Sequence, residues 1–474
     1  MTRLRNFSLL ESWKSAALLL SLVALVAQSC ITAREYSRPE VETPAAFRAD
    51  SLSADSTSLA TLPWTDLFGD EILQGHIRRG LENNIDIQIA LQNILIAEQY
   101  LEQGKAGYYP TLSATAGFNR TKNSPNSQFG RLFSEPIEQF QLSGSLSWEA
   151  DIWGKIRSTK RAAQATFLQS TAAHQAIKTG LIASLATTYY QLLALDKQES
   201  IAALTLESRK NSLETIQALK AAGLVTEVAV KGAEAQVYST EIILIDLRKN
   251  IRMLENSFCI LLGEPPHEIE RGTLDAQELN PELQTGVPSL LLGNRPDVMQ
   301  SEFALVNAFE LTNVARASLY PSLSLGASGG FQSLEAATWL SSGSLFYQLL
   351  ASLTQPLLNG RRLKTELKVA EARQQQALLD FRRSLLTAGR EVSDALYELQ
   401  AQSDIAEARR HELEALSLAE EFSEELLNYG LANYLEVLTA RQNALNTELR
   451  LVDAQYGQLG ALVELYRALG GGWQ

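Results

Sequence analysis

Cysteine is almost missing from this chain of 474 residues: there are two, and histidine occurs only four times. Two cysteines exclude a disulfide framework and a Cys-based zinc site, and scattered histidines leave nothing for a His cluster, so no metal and no cofactor is expected. Positive charge is also short. The 41 Lys+Arg against 54 Asp+Glu leave a formal charge of −13 at pH 7, which gives no basic footprint for phosphates and excludes nucleic acid as a partner. Long apolar runs are lacking too. Beyond the N-terminus every one is broken by charged or strongly polar residues within about 18 positions, so no transmembrane helix is expected and any membrane crossing must use strands. What is present, 45% hydrophobic and 20% charged residues, is too apolar for a disordered acidic tail.

The N-terminus reads as an export signal over residues 1–29: Arg3, Arg5 and Lys14 precede an apolar run from Ala16 to Ala27 that is too short to span a bilayer comfortably. The run ends in Ala27-Gln28-Ser29-Cys30, similar to a bacterial lipobox, in which the cysteine is acylated and becomes the first residue. Cys30 is therefore the expected lipidation site, with Gln28 and the absence of Leu at Ala27 as departures from the usual pattern. An ordinary signal followed by a chance cysteine is the alternative. Cys259, between Phe258 and Ile260, reads as a buried helix residue.

Proline organises the rest. All thirteen prolines fall in 39–63, 110–136, 265–296 and 321–356, leaving 137–264 and 357–474 free of them. Past their opening residues these tracts are rich in Ala, Leu, Glu, Gln and Arg, the composition of continuous helix. From Lys155 to about Ala222 a helix of ~65 residues is predicted, on the order of 100 Å long. Leu181, Leu185, Tyr189 and Leu192, then Ile201 and Leu204, recur at three- and four-residue spacing, so the helices should pack as coiled coils.

The chain also repeats itself. Tyr109-Pro110-Thr111-Leu112-Ser113 recurs as Tyr320-Pro321-Ser322-Leu323-Ser324; Gly154-Lys155-Ile156-Arg157 as Gly360-Arg361-Arg362-Leu363; Gly223-Leu224 as Gly430-Leu431; and Leu262-Gly263 as Leu469-Gly470. Four landmarks in one order at nearly one offset indicate two copies of a unit. Each copy holds a long helix, two strands, another long helix, a glycine-marked turn and a return helix.

The four strands alternate with period two. Leu112, Ala114, Ala116 and Phe118 oppose Thr111, Ser113, Thr115 and Gly117; Phe140, Leu142, Leu146 and Trp148 oppose Gln141, Ser143, Ser145 and Ser147. A polar loop from Asn119 to Ser134 joins these two runs. In the second copy Leu323, Leu325, Ala327 and Phe331 oppose Ser322, Ser324, Ser328 and Gly330. The fourth run sets Tyr347, Leu349, Ala351 and Leu353 against Gln348, Ser352 and Thr354, with Leu350 misplaced on the polar side. Each run is about ten residues, the length of a tilted membrane strand. A half-buried soluble sheet would alternate in the same way, so alternation alone does not decide. Four strands cannot close a water-filled cylinder, and an open edge in lipid leaves backbone groups unbonded. Three copies would supply twelve strands, with the Ser/Thr/Gln face lining a channel.

At this point the sequence resembles the trimeric outer membrane efflux channels of the TolC class, most closely the lipoprotein branch associated with RND-type pumps. The resemblance covers essentially the whole mature chain. It rests on Tyr36-Ser37-Arg38-Pro39 with Pro44 and Phe47, Trp64 through Phe68 with Asp70 and Leu73, Asn83-Asn84-Ile85-Asp86, and Trp148 through Lys155. It continues in Pro288-Ser289-Leu290-Leu291, Arg295-Pro296-Asp297, and Ala315-Arg316-Ala317 leading into Tyr320-Pro321-Ser322.

The family implies a mainly α fold with a β-barrel portion. Duplicated long-helix coiled coils form a periplasmic α-barrel, and four strands per chain enter a 12-stranded trimeric barrel in the outer membrane. It implies a homotrimer, outer membrane lipid around the barrel, and docking to a periplasmic adaptor and an inner-membrane RND-type pump. The expected organisation is a lipid-anchored segment at 30–62 and efflux repeats at 63–280 and 281–474.

By the same resemblance, the gate and adaptor tips fall at Gly223-Leu224-Val225-Thr226 and Gly430-Leu431-Ala432-Asn433-Tyr434. Glycine there suits a tight helix end on its own physical grounds. Relatives often carry an acidic residue where this chain has Ala432, so a charged constriction would have to come from Glu227 and Glu436. Asn433 and Tyr434 are the expected gate hydrogen-bonders.

No catalytic residue is expected. Gly326-Ala327-Ser328-Gly329-Gly330 fits the G-x-S-x-G spelling of a nucleophile elbow but lies inside an alternating strand, with only His411 downstream. Arg295, Arg316, Asp151 and Lys155 read as charged residues where helices meet strands. An efflux channel leads. The alternatives are a channel for type I protein secretion and a non-conducting periplasmic coiled-coil scaffold.

Overall fold

The computed structural model describes residues 33–40, 62–133, 135–277 and 291–473. The expected signal peptide, Cys30, and Pro288-Ser289-Leu290 lie outside the described residues. Among those described, no helix is long and apolar enough to cross a membrane.

In chain order the elements are α1 (Trp64–Leu67), α2 (Glu71–Asn83), α3 (Ile85–Ala106), β1 (Thr111–Thr121), β2 (Ile137–Ala150), α4 (Lys155–Ala221) and α5 (Glu227–Leu262). The second half repeats the series as α6 (Leu291–Asn294), α7 (Pro296–Ala317), β3 (Ser322–Ser333), β4 (Leu345–Thr354), α8 (Arg362–Asn428) and α9 (Tyr434–Leu469). Both α4 and α8 have 67 residues, and both α5 and α9 have 36. Gly154, Gly223 and Gly263 have positive φ, as do their counterparts Gly360, Gly430 and Gly470. The duplication reaches single hydrogen bonds: Asn84 Nδ2 donates to the Leu261 carbonyl at 2.9 Å, and at the equivalent place Arg295 Nη1 donates to the Ala468 carbonyl at 2.9 Å.

The chain divides into two compact units, each drawn from both halves of the sequence. The first takes in 33–39, Leu95–Leu168 and Phe303–Leu379. Its centre is one antiparallel sheet in the order β1-β2-β3-β4. β1 pairs only with β2 and β4 only with β3, so both outer edges are unpaired among the described residues. β1 runs on through Asn119, Arg120 and Thr121, which the sequence places in the loop; cross-strand pairing of Arg120 with Glu138 (3.5 Å) accompanies the extra turn of ladder. No residue of any strand is buried. A soluble half-buried sheet would have one covered face; this one has neither. Beneath the sheet α7 is tied to α4 by Asn307 Nδ2, which donates to the Ala162 carbonyl at 2.9 Å and to Thr166 Oγ1 at 3.0 Å.

The second unit takes in 62–94, Gln169–Glu302 and Asp380–Gln474 among described residues, and it holds most of the buried apolar side chains. Tyr189, Phe68, Phe258, Leu73, Ile77, Leu185, Leu192, Leu262 and Leu465 are all under 2% exposed. Toward the turns, Ala202 and Leu206 of α4 pack on Val237, Leu244 and Leu247 of α5, each buried Leu or Val contributing ~1.5–3 kcal/mol. The spacing of these residues, not helix propensity, holds the hairpin together.

Candidate functional site

Directly paired strand residues share a face of the sheet, so the register sorts the predicted channel residues without further assumption. Ser113, Ser145, Ser328 and Gln348 form one continuous row across the four strands. Thr115, Ser143 and Gly330 form a second, and Thr111, Ser147 and Gly326 a third. Ser324 pairs with Ser352, and Ser322 with Thr354. Gln141 lies in the same set, opposite Gly117. All twelve residues therefore sit on one face, where Ser113 and Ser145 hydroxyls meet at 2.7 Å. The one charge on this face within the β2 ladder, Glu149, is paired with Lys155 Nζ at 3.0 Å.

The opposite face is apolar except for the Arg120–Glu138 pair at its far end: Leu112 pairs with Leu146, Leu146 with Ala327 and Ala327 with Leu349, and Leu112 and Leu349 are both 77% exposed. It is topped by an aromatic line in which Phe118 and Phe140 stand 4.9 Å apart and Phe140 and Trp339 5.8 Å apart. Besides the expected Leu350, Phe346 also falls on the polar face. Trp339 carried no period-two signal because it belongs to the β3–β4 connection.

Both helix turns have the predicted glycine geometry. Gly223 has φ 78° and Gly430 φ 71°. In each, the glycine N–H returns to the carbonyl three residues back (Lys220, 2.8 Å; Leu427, 3.0 Å), and the following leucine N–H to the carbonyl five back (Leu219, 2.9 Å; Leu426, 2.9 Å). This is the Schellman closure, which satisfies the last carbonyls of a helix. Leu224 and Leu431 are left 72% and 75% exposed at the turns. Val225 and Ala432 are half-buried and Thr226 is exposed.

Asn433 caps α9: its Oδ1 accepts the Glu436 N–H at 3.2 Å while its Nδ2 donates to Glu436 Oε1 at 3.0 Å. Glu227 pairs with Lys220. Tyr434 is half-buried, and burial raises its pKa above the ordinary tyrosine value.

Behind the turns lies a polar cluster that the sequence did not announce. Arg209 of α4 is 6% exposed. Its Nη1 donates to the Gln236 carbonyl (3.0 Å), Gln236 Oε1 (2.8 Å) and Thr240 Oγ1 (2.5 Å) of α5, and its Nη2 to Gln442 Oε1 of α9 (3.1 Å). Arg441 of α9 donates to Ser212 Oγ of α4 at 2.6 Å and holds Glu424 of α8, with Glu420 at 3.5 Å. Burial raises the Glu420 carboxyl above its usual range. Burial lowers the Arg209 pKa, and the nearby Arg441 charge lowers it further. Two guanidinium groups thus stitch α4 and α5 to α8 and α9.

Asp151, Lys155 and Arg316 lie where helices meet strands, as expected, whereas Arg295 does not: it sits between α6 and α7, against the end of α9. Asp151 caps α4 through the N–H groups of Ile156 (2.8 Å) and Arg157 (3.0 Å). Arg295, 3% exposed, pairs with Asp297 (2.6 Å) and Glu391 (2.8 Å). Arg316 Nη1 donates to Asn313 Oδ1 at 3.0 Å. Ser328 lies in extended β3, with no helix following it directly, so the G-x-S-x-G spelling does not form an elbow. Cys259 is buried, as expected.

The outer membrane efflux protein family model matches residues 77–264 and 287–471. The chain is 26% identical over 455 residues to the cation efflux system protein CusC of Escherichia coli, covering 95% of this chain and 98% of that one. It is 27% identical over 469 residues to the probable outer membrane lipoprotein SilC of Salmonella typhimurium, covering 97% and 99%. Among solved structures it superimposes on the open state of the Neisseria gonorrhoeae MtrE outer membrane channel with a TM-score of 0.83 at 26% identity, covering 94% of this chain and 99% of that one.

Proposed function

The chain belongs to the outer membrane efflux protein family, and on that premise we propose that three copies close into the outer membrane duct of a tripartite system, fed by a periplasmic adaptor and an RND-type inner-membrane pump. The observation that carries this reading is the sheet: among the described residues it has two unpaired edges and no buried residue, and register puts the Ser/Thr/Gln set on one face and the leucine set on the other, with Phe346 and Leu350 as apolar exceptions on the first and the Arg120–Glu138 pair as the charged exception on the second. Unmet backbone groups in hydrocarbon are too unfavourable for such a sheet to stand alone in a bilayer. Joining the β4 edge of one copy to the β1 edge of the next removes every edge and gives twelve strands. The Ser/Thr/Gln face then lines the duct, and the leucine face meets lipid.

Work by this protein is passive conduction, and no bond is made or broken. The glycine turns at Gly223 and Gly430 are the ends that meet the adaptor. The Arg209 and Arg441 cluster is the latch that keeps the helix pairs together until the adaptor draws them apart. Residues 63–280 and 281–474 act as the two repeats that supply one hairpin each. Cys30 is acylated and holds the chain to the inner leaflet of the outer membrane, a reading supported by the likeness to SilC, a probable outer membrane lipoprotein.

A deletion strain challenged with dyes, detergents, antibiotics and metal ions tests the role. Increased sensitivity restored by the intact gene is the expected result. Unchanged sensitivity to every compound, with a protein missing from the medium, would replace efflux by secretion.

A further inference from the structure

Two large apolar side chains interrupt the face that otherwise carries hydroxyls and amides. Phe346 and Leu350 of β4 share it with Gln348, which lies between them and is exposed. Leu350 is 58% exposed. Ile137, the third apolar residue of this face, ends β2 opposite Thr121 at the margin of the sheet, whereas Phe346 and Leu350 lie inside the ladder. Residues four apart on a strand are separated by about 13 Å, so the two frame a gap with the Gln348 amide at its middle.

The neighbouring strand gives this gap its depth. Phe346 pairs with Gly330, Gln348 with Ser328 and Leu350 with Gly326, the same Gly326-Ala327-Ser328-Gly329-Gly330 run that forms no nucleophile elbow. The two glycines differ in what they permit. A Cβ on Gly330 would collide with the Leu142 carbonyl oxygen and stand 2.6 Å from Ser143 Cα, so the backbone there demands glycine. A Cβ on Gly326 would meet Leu350 Cβ at 3.7 Å, an ordinary contact, yet that position too is bare. The result is a shallow floor bordered by an aromatic ring and an isobutyl group, with the amide and hydroxyl of Gln348 and Ser328 free to donate and accept hydrogen bonds across it. Among the described strand residues the one charge of this face, Glu149, is two strands away and paired with Lys155 Nζ at 3.0 Å.

We propose that Phe346, Gln348 and Leu350 form a transient hold for cargo on the duct wall, taking flat, uncharged, largely apolar molecules that carry one hydrogen-bonding group. The proposal rests on the assignment of this face to the duct. Such a molecule lays one apolar face on the glycine floor between Phe346 and Leu350 and keeps its polar group on the Gln348 amide, the usual division of labour in a small-molecule site. Against a wall of hydroxyls alone an apolar solute gains nothing over bulk water. Here it loses part of its hydration, which raises its local concentration, and because only one face is covered it leaves readily. Charged or strongly hydrated solutes find neither a counter-charge nor a gain from burial, so the hold sorts cargo by polarity.

The test uses the full-length protein in liposomes. Ser328→Cys places a thiol on the floor, and Ser322→Cys places one about 20 Å nearer the foot of the same strand. Each is labelled with a water-soluble, charged methanethiosulfonate and read on the peptide that carries it. Coumarin, flat, uncharged and bearing one carbonyl group, is the probe, and sucrose is the polar comparison. Coumarin should slow labelling at 328 at least threefold and leave 322 unchanged, while sucrose should slow neither. Adding Phe346→Ser or Leu350→Ser should remove the protection with gel mobility of the trimer unchanged, and Phe346→Leu should retain it. Equal protection at both positions would overturn the hold. So would protection that survives both serine variants while the trimer loses heat stability, the sign of side chains that merely cover glycine backbone. Failure of either thiol to label without probe would place this face out of water, and would overturn the duct reading and the hold with it.

Discussion

The sharpest consequence of the register concerns two residues of β2 near the middle of the strand, Leu142 and Ser145. They are three positions apart and on opposite faces: Leu142 pairs with Ala116 and Phe331, Ser145 with Ser113 and Ser328. Leu142→Arg places a guanidinium on the face assigned to lipid, where a cation at the bilayer midplane costs ~2–4 kcal/mol. Three copies make that ~6–12 kcal/mol per trimer, several tenfold steps in the folded population at ~1.4 kcal/mol each.

Ser145→Arg puts the same group into a water-filled lumen and loses one hydroxyl contact, worth ~1 kcal/mol. Folded trimer in the outer membrane, read from heat-modifiable gel mobility, should fall steeply for Leu142→Arg and stay near wild type for Ser145→Arg. In planar bilayers under a salt gradient, Ser145→Arg should also shift the reversal potential toward anion preference. The reverse outcome for the two variants would refute the face assignment, and equal tolerance of both would refute placement of the sheet in a bilayer.

Gly223→Val should weaken efflux while leaving the trimer intact, because φ 78° penalises a β-branched side chain by ~1–3 kcal/mol although the space around it is open; drug susceptibility beside gel mobility checks this. Arg441→Gln removes the grip on Glu424 and Ser212 and should raise single-channel open time and sensitivity to large antibiotics at unchanged expression. His76, 2% exposed, lies edge-on to Phe258 at 5.1 Å, with Nε2 at 2.8 Å from the Glu270 carbonyl and Nδ1 at 2.6 Å from Arg79 Nη2. Burial and then the Arg79 charge hold its pKa below the usual 6.5, opposed by the Glu270 carbonyl. The folded state therefore binds fewer protons than the unfolded one below about pH 6.5, and stability should be full above that pH and decline as pH falls through it toward the lowered folded value. A melting series from pH 7.5 to 5 should show this slope, flattened in His76→Gln.

Much of this molecule is legible in its sequence. Period-two alternation named the strand faces correctly because register preserves parity across every pair, and a repeated glycine named both turns because only a left-handed closure suits those helix ends. The ladder at Asn119 to Thr121 was missed, since its polar residues look like loop until Arg120 finds Glu138 across the strand. The Arg209 and Arg441 cluster was invisible for a different reason. Its partners Gln442 and Ser212 are more than two hundred residues away along the chain, and a long helix of mixed charges offers no periodic sign of which arginine turns inward.

The central claim is that a single chain supplies one third of a closed wall. Native mass spectrometry of the detergent-purified, full-length protein measures this directly. Three chains per particle, retained on dilution and forming conducting pores on insertion into a planar bilayer, is the predicted result. A stable particle of one chain that leaves the bilayer silent would contradict the account.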